Sequence, residues 1–234
     1  MGDDLYSRED IQRCLKHNYA VLGKNVENLQ HFGALVVRGT KLTDVVEKPS
    51  KKMAAFANAA CYVFDQTIFS YLKKVRKSKR REYELTDALK QLAKNEKVVV
   101  ETVRKLWIPI TFPWSLLEAN ETILKGMYSD IKGTVEKYVT IKGTIVLGKN
   151  SVIKSGAYIE GPVVIGENCT IGPNCFVRAA TSIGNNCKVG NGVEIKHSVL
   201  MDGCRIDHLS YVGDSLLGEK VHLGAGTMVA NLRH

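Results

Sequence analysis

No apolar run in this sequence approaches the ~20 residues that carry a helix across a bilayer, so no membrane-spanning segment is expected. The first ten residues, MGDDLYSRED, lack the basic, apolar and small-residue blocks of a secretory leader, which makes a cytoplasmic location the expectation. Proline is scarce at 5 residues and glycine stops at 20 of 234, which excludes collagen-like and low-complexity chains. None of the 6 cysteines forms a Cys-x-x-Cys pair, so they are expected as reduced thiols and not as a metal or disulfide framework. What remains is an ordinary globular composition, 44% hydrophobic and 24% charged with a net charge of +9, long enough for one large domain or two small ones.

The strongest positive signal is a period. Stepping by six from Val135 meets Ile141, Leu147, Ile153, Ile159, Ile165, Ile171, Val177, Ile183, Val189 and Ile195, every one aliphatic. The phase then slips by one residue to Leu200, Ile206 and Val212, and once more to Leu217, Leu223 and Val229. A period of six fits neither a heptad nor an alternating hairpin. It fits a triangular prism in which each hexad supplies a short strand and a corner, the aliphatic side chain points inward, and three hexads close one coil. Glycine often follows the aliphatic residue, as at Gly148, Gly166 and Gly184, and is expected there because a tight corner demands an unusual φ. Residues 132–232 would make between five and six coils.

Cys169, Cys175, Cys187 and Cys204 each precede an inward aliphatic by two residues, which places them on the same face of the strand. Cys169, Cys187 and Cys204 therefore read as a ladder of thiols inside the prism, small apolar filler in preference to a metal site or disulfide.

The first half changes pattern. Strands are expected at Tyr19–Leu22, Ala34–Val37, Ala59–Phe64 and Val98–Val103, and helices near 8–16, 66–76, 85–95 and 113–124. Thr86 and Asp87 are expected to cap the third helix and Pro113 to open the fourth. This alternation implies a layered α/β sheet domain.

Gly2-Asp3, His31-Phe32-Gly33, Val46-Glu47-Lys48-Pro49, Asn58-Ala59-Ala60-Cys61-Tyr62, Glu84-Leu85-Thr86-Asp87 and Trp107 followed by Pro113-Trp114 stand in the order and spacing of sugar-1-phosphate nucleotidylyltransferases, which this half resembles. With the repeat attached, the whole chain resembles an archaeal-type bifunctional family. That family joins N-acetylglucosamine-1-phosphate uridylyltransferase, or a related nucleotidylyltransferase, to an amino-sugar-1-phosphate N-acetyltransferase. The expected fold is thus a partial nucleotidyltransferase-type α/β domain over residues 1–126 followed by a left-handed parallel β-helix over 127–234, truncated at both ends relative to the family.

By that resemblance Asp3 holds a catalytic Mg²⁺, Glu47 and Asn58 bind sugar hydroxyls, Lys48 faces the sugar phosphate, and Gly33 lets the backbone approach the sugar. The pattern departs from the family at Pro109, where a second metal carboxylate is expected, and at Ala60 and Thr111, where glycine is usual. The Gly-rich nucleotide loop of the family would precede Met1. Nucleotidyl transfer by this chain is therefore not expected, and an open sheet edge is.

In the repeat, His208-Leu209-Ser210-Tyr211-Val212-Gly213-Asp214, then Gly224-Ala225-Gly226-Thr227 and Ala230-Asn231-Leu232-Arg233, resemble the acetyltransferase core of the same family. The resemblance implies that His208 is the general base for attack of an amino-sugar 1-phosphate on acetyl-CoA, a role that suits imidazole because it titrates near neutrality. It implies that Arg178 and Lys196 bind the sugar phosphate, that Tyr211 and Asn231 make sugar or phosphate contacts, and that the backbone at Ala225 lines the acetyl-donor side. His222 stands where the family commonly has Asn. A homotrimer with sites between neighbouring prisms is expected, with Leu223 and Val229 exposed at the top coil.

Three other readings compete. The basic run Lys73, Lys74, Arg76, Lys77, Lys79, Arg80, Arg81 reads as a solvated helix end in preference to a nucleic-acid patch, since no aromatic platform accompanies it. His197, His208 and His222 differ in phase, which argues against a three-histidine zinc site between subunits. A non-catalytic oligomerising or regulatory remnant of the family is the alternative to an acetyltransferase.

Overall fold

A computed structural model describes residues 3–49, 55–78 and 80–231. Gly2, Lys79, Leu232 and Arg233 of the motifs above lie outside the described residues. The chain forms two compact units, Met1–Pro109 and Ile110–His234.

The first unit contains β1 (Leu5–Tyr6), α1 (Arg8–Cys14), β2 (Ala20–Lys24), β3 (Ala34–Arg38), β4 (Lys41–Val46), β5 (Phe56–Val63), α2 (Ile68–Leu72), α3 (Leu85–Asn95), β6 (Val99–Thr102) and β7 (Trp107–Ile108). Strand alternation divides its core in two. Val21, Leu35 and Val100 face Ala88, Leu89 and Leu92 of α3, while Ala20, Leu22 and Ala34 face Cys14 of α1 and Trp107. In place of the expected open edge, the main strands close into a ring in the order β2, β5, β3, β4, β6. Closure occurs because β4, which the apolar pattern does not reveal, pairs with β6 at Lys41 and Val99.

Helix ends also depart from expectation. α3 spans Leu85–Asn95 as expected, but its N-cap is Glu84, which makes no side-chain cap bond. Thr86 is not a cap, because its hydroxyl donates to Glu47 Oε2 at 3.3 Å. α2 stops at Leu72, so the described residues of the basic run, from Lys73 on, lie beyond the helix. Within it Arg80 is not merely solvated: its Nη2 contacts Glu84 at 2.7 Å and Glu47 at 3.7 Å.

The second unit opens with α4 (Ser115–Leu124) and continues as a solenoid of three parallel six-stranded sheets, as expected for a left-handed β-helix of hexapeptide repeats. Pro113 sits in the turn ahead of α4, whose N-cap is Trp114. Strands 145–147, 163–165 and 181–183 belong to the first face, 152–153, 170–171 and 188–191 to the second, and 158–160, 176–177 and 194–196 to the third. Ile153 pairs with Ile171, and Ile171 with Val189, one coil apart. Of the residues met by stepping in sixes, Leu147, Ile153, Ile159, Ile171, Val177, Val189 and Ile195 are all fully buried. Leu223 and Val229, in the last coil, are half-buried.

The four cysteines are buried and free. Their thiols do more than fill space: Cys169, Cys187 and Cys204 donate to the carbonyls of Gly184, Met201 and Gly218 at 3.0, 3.3 and 3.1 Å, each in the following coil. Burial pushes the Cys175 thiol up to about 12.

The hexad glycines have a different cause from the expected one. Gly148, Gly166 and Gly184 do not adopt positive φ, which falls instead to Asn150, Asn168 and Asn186 at φ 58, 57 and 57°. Asparagine tolerates that region better than most residues. A Cβ on Gly148 or Gly190 would be driven into the backbone of the coil above, at Gly166 and Asp207 respectively. Coil stacking, not corner curvature, excludes a side chain there.

This packing makes Gly190 and Ile171 sensitive positions. Gly190→Ala should lower the melting temperature more than a surface substitution, and Ile171→Ala should cost ~2–5 kcal/mol of stability, because neighbouring coils cannot collapse into the void. Chemical denaturation monitored by circular dichroism measures both, and loss below about 1 kcal/mol for Ile171→Ala would contradict a closely packed prism. In the first unit, Asp10 is enclosed at the end of α1. Burial would raise its pKa, but N–H groups of Arg104, Lys105 and Leu106 and the Arg13 guanidinium outweigh burial and lower it to about 2. A depressed folded value means stability that is present above the unfolded carboxylate range near pH 4 and lost as pH falls toward 2. Asp10→Asn should therefore cost about 2 kcal/mol at neutral pH, and the acid-unfolding curve of the variant should flatten over that window.

Candidate active site

The residues expected to carry the chemistry of the solenoid lie on two of its three corners. In the corner from the second face to the third, strand Arg205–His208 delivers His208, which is exposed and paired in register with Asn191 of the coil below. Strand 222–223 pairs Arg205 with His222 and Ile206 with Leu223, which stacks Ala225 on His208. The Gly226 N–H donates to the His208 carbonyl at 3.4 Å. His208 and Ala225 are thus brought together. His222 is turned toward Asp207, with Nε2 to Oδ2 at 3.3 Å.

In the corner from the third face to the first, Arg178 and Lys196 stack in successive coils, and Asn231 lies two coils above Lys196, on Asp214. The Arg178 Nη1 donates to Glu194 Oε1 at 3.0 Å, and its guanidinium lies over Phe176 with 5.6 Å to the ring centre. Lys196 Nζ donates to Asp214 Oδ2 at 3.0 Å, and Asn231 Nδ2 donates to the Asp214 carbonyl at 2.7 Å. The Tyr211 ring leans over Gly213, where an added Cβ would fall 2.8 Å from the phenol oxygen. Arg178 and Lys196 line a cavity of about 370 Å³ together with Glu121, Glu160, His197 and Asp214. Sequence reasoning gave no role to the last four, although both shortened hexads fall in this corner and mark it.

Helix α4 is fastened to the same corner. Asn120 Nδ2 donates to the Ala180 carbonyl at 2.9 Å, and its Oδ1 accepts from the Ser182 hydroxyl at 2.5 Å. That bracket places Glu121 at the cavity, 3.6 Å from His197 Nε2.

In the first unit, Gly33, Glu47 and Asn58 come together. The Asn58 N–H donates to the Gly33 carbonyl at 2.7 Å, and a Cβ on Gly33 would stand 3.2 Å from Glu47 Oε2 and 3.5 Å from Asn58 Cβ. Glycine there leaves an open approach beside a carboxylate and an amide. Asn58 Nδ2 donates to the Tyr62 hydroxyl at 2.8 Å, and burial raises that phenol to about 12, which keeps it neutral. Lys48 follows Glu47 at φ 42°. Ala60 holds φ 54°, a region that favours glycine, so alanine carries local strain there.

Asp3 is exposed. The neighbouring Asp4 is engaged by Trp107 Nε1 at 2.9 Å and the Tyr6 hydroxyl at 3.2 Å, and Pro109 offers no side-chain ligand. Among the described residues no group of three His, Cys, Asp or Glu side chains is placed to hold a metal. The donor set does not fit the Mg²⁺ expected for this unit, which needs several oxygen ligands. Among the described residues no helix is long and apolar enough to cross a membrane.

An α/β nucleotidyltransferase-type unit followed by a hexapeptide solenoid defines the class. Residues 2–126 match the family profile described as Nucleotidyl transferase, and residues 159–233 match the one described as GMPPB C-terminal domain. The first match takes in more than half of the chain, and the chain belongs to the nucleotidyl transferase family. It is 39% identical over 234 residues to the Bifunctional protein GlmU of Methanocaldococcus jannaschii, covering 100% of this chain and 57% of that protein. It is 41% identical over 236 residues to the Bifunctional sugar-1-phosphate nucleotidylyltransferase/acetyltransferase of Sulfurisphaera tokodaii, covering 98% of this chain and 59% of the relative. The Low-salt glycan biosynthesis nucleotidyltransferase Agl11 of Haloferax volcanii is 34% identical over 204 residues, with 86% of this chain and 57% of the relative covered. The chain thus spans a little over half the length of the curated relatives it matches.

The Asn120 bracket is testable without any substrate. Asn120→Ala should release α4 from its corner and raise amide exchange across residues 115–124 about tenfold, the effect of losing about 1.4 kcal/mol of local hydrogen bonding. Unchanged exchange in the helix would show that its apolar contacts alone hold it.

Proposed function

We propose that the solenoid transfers the acetyl group of acetyl-CoA to the amine of an amino-sugar 1-phosphate. The observation that carries this reading is the register. It stacks His208 beneath Ala225 on one corner and Arg178 beneath Lys196 on the next, with Asn231 on Asp214 further up the same corner. The first set is suited to a base beside a thioester and the second to a phosphate.

The amine nitrogen attacks the thioester carbonyl, the C–N bond forms and the C–S bond breaks. His208 takes the proton lost by the nitrogen, and the CoA sulfur leaves as thiolate to be reprotonated. Arg178 and Lys196 grip the phosphate and so fix the amine's position, which converts binding energy into orientation. Tyr211 and Asn231 hold the sugar from the same corner. The two sets sit on different corners of one prism, so the complete site is formed between neighbouring copies, and a homotrimer is the assembly that supplies three such clefts.

Gly33, Glu47, Lys48 and Asn58 form the sugar-facing part of the nucleotidyl site, with Glu47 and Asn58 accepting and donating to hydroxyls. Because the carboxylates among the described residues do not make a divalent-cation site, no nucleotidyl step is assigned to them.

A thiol-release assay with acetyl-CoA and either glucosamine or galactosamine 1-phosphate tests the proposal. Release should depend on the sugar and fall by ~10²–10⁴-fold in His208→Ala, the usual contribution of a general base. Equal release by the variant, or none by the unaltered chain with either sugar, would favour a non-catalytic member of the family. Sedimentation velocity at the assay concentration should show three copies, and a monomer with full activity would contradict the shared cleft.

A further inference from the structure

The corner between the third and first faces contains a relay that the acetyl-transfer reading leaves unused. Asp214 accepts two donors: Lys196 Nζ on Oδ2 at 3.0 Å and His197 Nδ1 on Oδ1 at 2.7 Å. Since an ionised carboxylate can only accept, Nδ1 carries the hydrogen in this contact. In neutral imidazole Nε2 then presents a lone pair. That nitrogen is buried and has no hydrogen-bond partner, and the group facing it is the Glu121 carboxylate of α4 at 3.6 Å. A lone pair set against a carboxylate is unfavourable, whereas an imidazolium would have an acceptor on each side.

The charge around the cavity points the same way. Glu121, Glu160, Asp214 and the Arg178 partner Glu194 face Arg178, Lys196 and the Glu121 partner Lys125. Acids exceed bases by one while His197 is neutral, and the two balance when it is protonated. Burial opposes charge on Asp214, yet the His197 and Lys196 hydrogen bonds together hold its carboxyl below the ordinary range. The two donors therefore share one carboxylate through different oxygens, and whichever holds it less firmly is available to a ligand.

We propose that His197 is the positioning residue that sets the anion affinity of this corner: once protonated it takes over Asp214 and draws Glu121 aside, which frees Lys196 Nζ to meet a phosphate or sulfate oxygen beside Arg178. This rests on the reading that Arg178 and Lys196 receive the sugar phosphate, and it adds a group and a pH dependence that the reading lacks. His197 acts through Asp214 and Glu121 and does not itself touch the ligand, because its Nε2 is buried. Helix α4, which lies outside the hexapeptide repeat, thereby contributes to ligand binding through one carboxylate.

Sulfate is the suitable first probe, because it keeps its double charge across the range in which imidazole titrates, while a phosphate monoester loses part of its charge near pH 6. Isothermal titration of the full chain with sulfate, and then with glucosamine 1-phosphate, is compared at about pH 6 and about pH 8. The unaltered chain should bind sulfate about tenfold more tightly at the lower pH, a factor equivalent to about 1.4 kcal/mol. His197→Gln should remove that pH dependence and bind about as weakly at both values as the unaltered chain does at the higher one. His197→Lys, charged throughout, should bind tightly at both. Sulfate affinity that is independent of pH in the unaltered chain, a pH dependence that survives His197→Gln, or no sulfate binding at all would each overturn the inference. If both variants weaken binding equally at both pH values, the residue is structural and the inference also fails. Sulfate binding requires no turnover, so intact pH-dependent binding without thiol release would count against acetyl transfer alone. Thiol release with pH-independent binding would count against His197 alone.

Discussion

The constraint on which the second unit depends is the distance between successive coils. Each coil is hydrogen-bonded to the next through its backbone, as in Gly148 N–H to the Ile165 carbonyl and Gly166 N–H to the Ile183 carbonyl, both at 2.8 Å. Parallel strands at ~4.8 Å leave no room for a side chain aimed along the stack. At Gly148, Gly166 and Gly184 the next coil excludes a Cβ, and the inward positions hold aliphatic, thiol or small hydroxyl side chains, Ser151 and Ser198 among them. Only the outward positions are free to vary. The fold therefore concentrates its chemistry into vertical columns, each one side chain wide.

Columns explain how the candidate site is built. Tyr158, Phe176, Glu194 and Tyr211 follow one another in register on the third face. The column beside them holds Glu160, Arg178 and Lys196, and ends where Lys196 meets Gly213 in register. Residues far apart in sequence become neighbours by counting coils. The missing side chain at Gly213 gives the Tyr211 ring its place, and the next residue, Asp214, returns a carboxylate to Lys196. Loss of one residue from each of the two hexads that end at Leu200 and Leu217 tightens this corner. His197 and Asp214 accordingly take left-handed φ values of 44 and 48°.

The same logic decides what could be read from the residues alone. The period was legible because burial permits few residue types at one position in six, and the two phase slips were legible because they displace every later aliphatic. The reason for the hexad glycines was not, since close approach and positive φ call for the same residue. In the first unit, Val21, Leu35 and Leu89 advertise strands and a helix through burial on one face. β4 has only Leu42 and Val45 buried and shows no comparable signal. The ring closure at Lys41 and Val99 is a pairing between residues with no pattern in common. Thr86 has the form of a helix cap, yet a carboxylate from Glu47, far away in sequence, claims its hydroxyl. Local chemistry could not anticipate a distant competitor.

Glu121 is the extreme case of that limit. It lies in a helix with no share in the repeat, and its side chain reaches the corner because Asn120 grips Ala180 and Ser182 of a strand some sixty positions later. The columns fix Arg178 and Lys196 with respect to each other and set Asp214 against His197 Nδ1, but the acid that faces His197 Nε2 is Glu121, from outside the repeat. The repeat on its own presents this corner as two outward cations, Arg178 and Lys196, flanked by Glu160 and Asp214. Adding a carboxylate from outside the row turns a fixed charge pattern into one whose balance depends on a single imidazole, and that balance determines whether the corner favours an anion.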